Sequence, residues 1–356
     1  MRHASALIVG GGPAGAAAAI TLARAGATPV LIERSSGPRD IVCGGFLGWD
    51  ALAGLKRLGL DAERLGARPI HRLRLVAGRR TVEAALPRAA AGLSRKCLDE
   101  AMLRLAGEAG ATVLRGRTAR LVERRRVRLD GGETIAAEAI FLATGKHDLR
   151  GAARGIGDRP VSVGLRAAFA PSLAAEAALA GTIELHLYDT GYAGLLLQED
   201  GMVNLCLTVV RERMAGRPEE RVAALISDCP LLGERLGGAI PGQWEAIAGV
   251  PYGWRAFDTF SDCYRLGDQA AVIASLAGDG IAIALASGVA AARARLEAIG
   301  AEDFQRDFAR RAARPVGVAE ALRKMAARPP GRAAMIGLAG LPGLARAAAR
   351  LTRIGV

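Results

Sequence analysis

Aromatic residues are scarce in this chain: seven Phe, three Trp and four Tyr make up 4% of its 356 residues. Histidine is rarer still, and His3, His71, His147 and His186 show no H-x-x-x-H spacing. Cys43, Cys97, Cys206, Cys229 and Cys263 are odd in number, widely spread and free of any C-x-x-C pair. That argues against a disulfide framework and against a zinc site, so no metal is expected. No run reaches the roughly 20 apolar residues that a membrane-spanning helix needs. The nearest, residues 333–345, is shorter and contains Pro342. Acid is in deficit: 35 Asp and Glu against 48 Lys and Arg leave a formal charge of +13. RNP, zinc-finger and helix-turn-helix patterns are all missing, so this surplus does not indicate nucleic acid. No G-x-S-x-G elbow is present either.

What is present describes an ordinary folded protein, 51% hydrophobic and 23% charged, long enough for two cores. The first five residues enter a strand pattern at once, so no signal peptide is expected and the cytosol is the expected compartment. Residues 6–9 form a short apolar run ending in glycines, 14–25 are good helix formers, and 29–33 form a second run ending in Glu33. Run, glycine turn, helix and run predict a βαβ unit on a buried parallel sheet. Helices are predicted over 50–60, over 94–109 between a Ser94 cap and Gly110, and over 281–298. Strands are predicted over 70–76, 81–86, 112–114 and 140–142, with a hairpin of 127–129 and 133–135 around Asp130-Gly131-Gly132. From 150 to 260 the runs 161–169, 182–188, 195–198 and 203–210 follow one another with a helix near 218–227. That predicts a largely antiparallel sheet. The first style returns at 263–266, and the rest is helical and basic, broken by Pro329-Pro330 and Pro342.

Gly10-Gly11-Gly12-Pro13-Ala14-Gly15 contains G-x-G-x-x-G, with the right strand before it and the right helix after it. Gly10 permits the tight turn, Gly12 lets the backbone approach a pyrophosphate, and Gly15 lets the helix lie close to the sheet. The helix N-terminus favours the phosphate charge. Glu33 closes the second strand about twenty residues on, where an acid accepts from a ribose hydroxyl, and Arg34 stands beside it. This establishes a dinucleotide site without choosing between FAD and NAD.

The choice of FAD comes from a resemblance. Gly267-Asp268-Gln269-Ala270, Ala277-Gly278-Asp279-Gly280-Ile281 and Ala286-Ser287-Gly288 resemble the late signature of flavoproteins with the p-hydroxybenzoate hydroxylase (GR2-type) fold. The resemblance implies that Asp268 holds the ribityl chain and that the helix begun at Gly280 and Ile281 points its positive end at the isoalloxazine ring. Within that superfamily, Val42-Cys43-Gly44-Gly45-Phe46-Leu47 is similar to the cysteine-glycine segment of the geranylgeranyl reductase group. Ser94-Arg95-Lys96-Cys97-Leu98-Asp99 resembles its R-x-x-L-D helix start, which implies that Arg95 approaches the FAD. One departure stands out: Thr144 occupies the place of the acid that monooxygenases of this fold carry beside Gly145. The tryptophan-bearing halogenase signature is absent as well. Cys43 reads either as a group beside the flavin, the one catalytic candidate, or as a small buried hydrophobe. Lys146, His147 and Arg150 read as a phosphate-binding cluster or as a solvated loop. Tyr252 and Trp254 read as substrate-cavity residues or as domain-boundary packing.

The expected fold class is α/β: a Rossmann-like GR2-type FAD-binding domain, an inserted, mainly antiparallel β-sheet substrate domain and a helical C-terminal extension. The expected boundaries are 1–150 with 261–300, then 151–260, which strands near 70–88 are candidates to join, then 301–356. The expected function is FAD-dependent reduction of a carbon–carbon double bond in an apolar, isoprenoid- or polyketide-like small molecule, with NAD(P)H as a candidate electron donor. The alternatives are flavin-dependent monooxygenation and, from another class, a non-catalytic, membrane-peripheral flavin-binding protein. From Arg310 onward ten basic residues face the single acid Glu320. This region reads as a peripheral membrane contact or as an ordinary surface helix.

Overall fold

A computed structural model describes residues 2–189, 191–213, 216–238, 240–260, 262–341 and 343–355. Met1 and Pro342, which the sequence reading touched, lie outside the described residues. The chain begins with β1 (Arg2–Val9), α1 (Pro13–Arg24), β2 (Val30–Glu33), β3 (Phe46–Leu47) and α2 (Trp49–Arg57). It continues through β4 (Arg68–Ala77), β5 (Arg80–Gly92), α3 (Arg95–Glu108), β6 (Thr112–Arg115), β7 (Ala119–Glu123), β8 (Arg126–Leu129) and β9 (Thr134–Leu142). The middle holds β10 (Ser162–Phe169), α4 (Leu173–Leu179), β11 (Thr182–Tyr188), β12 (Gly191–Leu197), β13 (Val203–Val210), α5 (Pro218–Asp228), α6 (Pro230–Leu236) and β14 (Glu245–Val250). Last come β15 (Cys263–Arg265), α7 (Gly280–Leu296), α8 (Ala301–Arg311), α9 (Ala313–Ala326), α10 (Pro329–Ala339) and α11 (Leu344–Leu351).

Two sheets result. The first runs β6-β2-β1-β9-β8-β7, with β15 paired to the far half of β9. Its core of β6, β2, β1, β9 and β15 is parallel, and the β8–β9 and β7–β8 pairs are antiparallel. Leu7 and Ile8 are fully buried, as a strand covered on both faces requires. Helix α1 packs on α7 at very short range because the contact is made of small residues. A Cβ on Gly288 would fall 2.2 Å from the Ala14 carbonyl oxygen, and one on Gly15 would fall 1.9 Å from that of Gly10. Ala16 to Ala19 are buried in the same seam. The few aromatics reinforce it: Phe141 stacks on Tyr264 with ring centres 4.9 Å apart, and Tyr264 meets Phe304 of α8. Helix α8 and Ile354 thereby join the first core.

The second sheet runs β14-β10-β13-β12-β11-β4-β5-β3. It is mainly antiparallel, as expected, but β11 lies parallel to β4. That pair exists because β4 and β5 do join this sheet, brought from the N-terminal half together with the unforeseen β3. One face packs Leu205 and Val209 against Val222 and Leu225 of α5 and Leu232 of α6. Strands β7 and β14 and helices α4 and α6 escaped the sequence reading. β7 is short and carries Arg120 and Glu123, and α4 is an alanine-rich turn capped by Ser172, whose hydroxyl accepts from the Ala175 N–H at 3.2 Å.

A buried ionic knot ties β11 to β4 and α6. Glu184 accepts from His186 Nε2 at 2.8 Å, from Arg74 and from Arg235 at 3.2 Å. Burial alone would raise the Glu184 carboxyl, but the His186 hydrogen bond and then Arg74 and Arg235 hold it down to about 2. A depressed carboxylate contributes stability that is complete above its ordinary pKa near 4.5 and is lost as pH falls through about 2. Glu184→Gln is therefore expected to cost about 3 kcal/mol in urea unfolding near neutral pH, by taking the carboxylate from Arg235 while Arg74 keeps Glu83. It should also flatten the acid limb of the stability curve between those two values. An unchanged acid limb would show that the knot carries no such linkage.

Candidate functional site

At the end of β1 the chain turns at Gly10, whose φ of 111° suits glycine and whose Cβ would fall 2.3 Å from the Ala143 carbonyl oxygen. Gly12 is the N-cap of α1 and Pro13 its first residue, where the missing N–H costs no hydrogen bond. The Glu33 carboxylate accepts from the Gly11 N–H at 2.8 Å and from the Ser35 N–H at 2.7 Å. Two lone-pair directions on it stay available to a hydroxyl donor. Arg34 is placed next to it and donates to His147 Nε2 at 3.0 Å. Burial first, and then Arg34, Arg39 and Lys146, push the His147 imidazole down, so it is neutral and accepts this bond at pH 7.

The opposite wall is the Cys43-Gly44-Gly45 loop, held from the second sheet. Asn204 on β13 donates to the carbonyls of Cys43 at 3.1 Å and Gly44 at 2.9 Å. Its own Oδ1 accepts from buried Arg166 at 2.7 Å, and Arg166 donates onward to Asp40 at 2.9 Å. Gly45 has φ 69°, and a Cβ there would fall 2.8 Å from Gln198. Ser94 caps α3 as expected. The next residue, Arg95, pairs bidentately with Asp99 at 2.8 and 2.7 Å and reaches to 3.1 Å of where a Gly12 Cβ would stand. Burial alone would lower the Arg95 guanidinium, but Asp99 and then the neighbouring Cys43 thiol hold it charged.

The third wall is the turn after β15. Asp268 pairs with Lys146 at 3.1 Å, and burial of that lysine is outweighed by Asp268, which keeps it protonated. Buried Arg154 clamps the same corner by donating to Asp148 at 2.7 Å and to the Lys146 carbonyl at 2.7 Å. Gln269 donates to the carbonyls of Gly145 and His147. Asp279 sits fully buried at the N-cap of α7 and accepts from Arg353 at 2.8 Å and from the Ile354 N–H at 3.0 Å. Arg353 also lies 4.3 Å over the Trp49 ring.

These walls enclose a cleft of about 810 Å³. Gly10, Gly12, Pro13, Ala14, Glu33, Arg34, Cys43, Gly44, Gly45, Arg95, Gly267, Asp268, Gly280, Ile281 and Tyr252 all line it. Gly15 does not; it acts behind the wall, in the α1 packing. Trp254 is also absent from the lining: it is buried, its indole N–H donates to the Gly155 carbonyl at 3.3 Å, and Arg154 lies over its ring. Its packing role is therefore the one the geometry supports. The basic cluster divides similarly, with Lys146 and His147 on the cleft and exposed Arg150 in a backbone bridge to Leu121. Tyr192, Cys206, Thr208 and Ser275 were not read from sequence, yet they line the inner end. The alternation in β13, with Asn204, Cys206 and Thr208 against Leu205, Leu207 and Val209, carried that signal.

A flavin dinucleotide fits these residues. Two helix N-termini, those of α1 and α7, border one cleft, and no atom stands within 4 Å of where a Cβ would sit on Gly44 or Gly280.

Comparisons with known proteins agree with this geometry. Residues 4–163 match the family model described as pyridine nucleotide-disulphide oxidoreductase. The chain is 28% identical over 320 residues to the menaquinone reductase of Mycolicibacterium smegmatis, covering 82% of this chain and 76% of that one. It is 26% identical over 332 residues to digeranylgeranylglycerophospholipid reductase 2 of Methanopyrus kandleri, covering 86% and 80%. The structure of a geranylgeranyl bacteriochlorophyll reductase-like protein from Thermoplasma acidophilum superposes with a TM-score of 0.79 at 17% identity, covering 98% of this chain and 95% of that one. A flavin-dependent brominase, a halogenase and a protein described as a probable FAD-dependent monooxygenase from Pseudomonas aeruginosa share the fold with TM-scores of 0.71–0.78 at 15–20% identity. The fold is thus shared with GR2-type flavoenzymes, and the sequence is similar to proteins named as reductases. Within that class the chain resembles the geranylgeranyl reductase group, as Cys43-Gly44-Gly45 and Arg95 implied.

The Asp279–Arg353 pair offers a test of how the site is braced. Burial pushes the Asp279 carboxyl up to about 6 against the pull of Arg353. Its contribution to stability is thus greatest below the ordinary value of 3.8 and declines as pH rises through about 6. Arg353→Met is expected to cost about 3–5 kcal/mol in urea unfolding at pH 7, and adding Asp279→Asn should recover most of it. Two losses that simply add would show that the groups do not act as a pair.

Proposed function

We propose that the protein is an FAD-dependent reductase that saturates a carbon–carbon double bond in an apolar, isoprenoid-type small molecule. The observation that carries this reading is the Cys43-Gly44-Gly45 loop, which lines the same cleft as the glycine turn and as the apolar side chains of Ile247, Val250 and Tyr252. Relatives named as reductases of menaquinone and of a digeranylgeranyl lipid support it. In this reading Gly10, Gly12 and the α1 N-terminus hold the pyrophosphate, Glu33 a ribose, Asp268 the ribityl chain, and Arg95 braces the glycine turn from Asp99. Lys146 keeps Asp268 oriented, and the α7 N-terminus favours negative charge on the ring. Reduced flavin, when bound, supplies the hydride.

The second hydrogen must arrive as a proton. Tyr252 Oη stands 2.9 Å from Ser275 Oγ at the inner end of the cleft. Burial raises the phenol above its ordinary value, so Oη holds its proton at neutral pH. In the proposal Oη gives that proton to one carbon while the other receives the hydride, and solvent reprotonates the tyrosinate through Ser275.

Chemically reduced, FAD-loaded protein mixed anaerobically with a polyprenyl substrate should yield the saturated product and oxidised, yellow flavin. Product that forms only with oxygen, and carries its atom, would replace the reductase by a monooxygenase. Tyr252→Phe is expected to slow flavin reoxidation by substrate about 100-fold while leaving FAD affinity unchanged. An unaltered rate would remove Tyr252 as the proton donor.

A further inference from the structure

Residues 333–345 are thirteen consecutive residues without a single polar side chain. A stretch this apolar is ordinarily buried, but the part of it on α10, Ala333 to Ala339, has no fully buried residue. The inner face of α10 sets Met335, Ile336 and Ala339 against Leu75, Leu185 and Leu187. Its outer face, Ala333, Ala334, Gly337 and Leu338, is exposed. Leu338, Leu341, Leu344 and Leu351 are 43–52% exposed, half of the eight large hydrophobic side chains that are exposed among the described residues. Helix α11 extends the stripe at the i, i+3, i+4, i+7 positions Leu344, Ala347, Ala348 and Leu351, with exposed Arg346 and Arg350 beside it. From residue 321 to the last there is no Asp or Glu, and there are seven Lys and Arg.

Single exposed leucines are commonplace, but a contiguous apolar surface bordered by one sign of charge marks a docking site. We infer that the α10–α11 hairpin docks this protein on an anionic lipid surface, with Leu338, Leu341, Leu344 and Leu351 entering the headgroup boundary and Arg346 and Arg350 meeting lipid phosphates. No helix among the described residues is long and apolar enough to cross a membrane, so the contact is monotopic. Charge decides against a second copy of the chain. A two-fold contact through this face would bring the exposed Arg346 and Arg350 of both copies together, whereas anionic headgroups neutralise them. The hairpin is also firmly mounted. Just past α11, Arg353 donates to the Gly278 carbonyl at 3.2 Å and to Asp279, in the turn that borders the cleft. The inference stands on this surface alone and does not depend on the reaction proposed above.

Vesicle flotation of the FAD-supplemented full chain tests it. The protein should float with vesicles of phosphatidylcholine and phosphatidylglycerol, more weakly with phosphatidylcholine alone, and less as salt is raised. Leu338→Gln/Leu341→Gln/Leu344→Gln should weaken binding at least tenfold, and Arg346→Gln/Arg350→Gln should abolish the preference for phosphatidylglycerol. Leu173→Gln, at an exposed leucine far along the chain, serves as the control and should bind like the wild type. Leu341→Trp provides a second readout that does not depend on the packing of the triple variant: its emission should shift to the blue on adding anionic vesicles. No flotation, equal flotation of the leucine variant, or an unshifted tryptophan would overturn the inference. A salt-insensitive dimer that the leucine variant loses would assign the face to a second copy instead.

Discussion

The architecture depends on one contact made almost without side chains. Gly10 lies against the carbonyl of Ala143, Gly15 against that of Gly10, and Gly288 against that of Ala14. Three segments far apart in sequence, the ends of β1 and β9 and the middle of α7, thus meet around the first turn of α1. A methyl group at any of the three positions would have to displace backbone, which is stiffer than a side chain. The consequence is electrostatic. Only because α1 and α7 approach so closely can both helix N-termini border one cleft and lend it the partial positive charge that phosphate or a reduced flavin ring favours.

The second constraint is how a sheet from the middle of the chain is made to shape a loop near its start. Hydrophobic contact alone would leave the Cys43-Gly44-Gly45 backbone free to shift, since apolar packing is not directional. Asn204 supplies direction, with both amide hydrogens on carbonyls of that loop, and Arg166 fixes the orientation of Asn204 from behind. Each group in this chain is buried and each has a partner, so moving one member would strand another. The cleft therefore belongs to both sheets, and the Cys43-Gly44-Gly45 loop that lines it is positioned by polar residues from the second.

The parts of this arrangement that were legible in sequence are those governed by local rules. The turn at Gly10 to Gly15, the Ser94 cap, the hairpin at Asp130-Gly131-Gly132 and the start of α7 each need particular residues within a few positions. What was not legible is long-range pairing. Asn204 looks like any polar residue in a strand until β13 is seen beside residue 43, and Lys146 looks like a loop lysine until Asp268 arrives from 122 positions away. Trp254 shows the converse error. An aromatic near the site invites a substrate role, but its N–H already has a partner in Gly155 and its ring lies under Arg154. Periodicity can say which face a residue occupies; it cannot say what the face will meet.

Buried arginine has a particular use in this fold, as a brace for irregular backbone. Among the described residues four arginines are nearly inaccessible: Arg154, Arg166, Arg265 and Arg353. Each stands behind a segment bordering the cleft: Arg154 behind Lys146 and Asp268, Arg166 behind Asn204, Arg353 behind Gly278 and Asp279. Arg265 meets the carbonyls of Ala152 and Ala153 and the side chain of Gln269, which in turn holds Gly145. Loops that curve around a ligand leave carbonyls with no ladder N–H to donate to them, and a planar group with five donors satisfies several at once. Lysine, with one compact ammonium, cannot span two carbonyls in that fixed geometry. Three of the four also pair with carboxylates, so they brace irregular backbone without adding to the net charge, and the exposed Arg346 and Arg350 of the α10–α11 surface are a separate use of the same residue type.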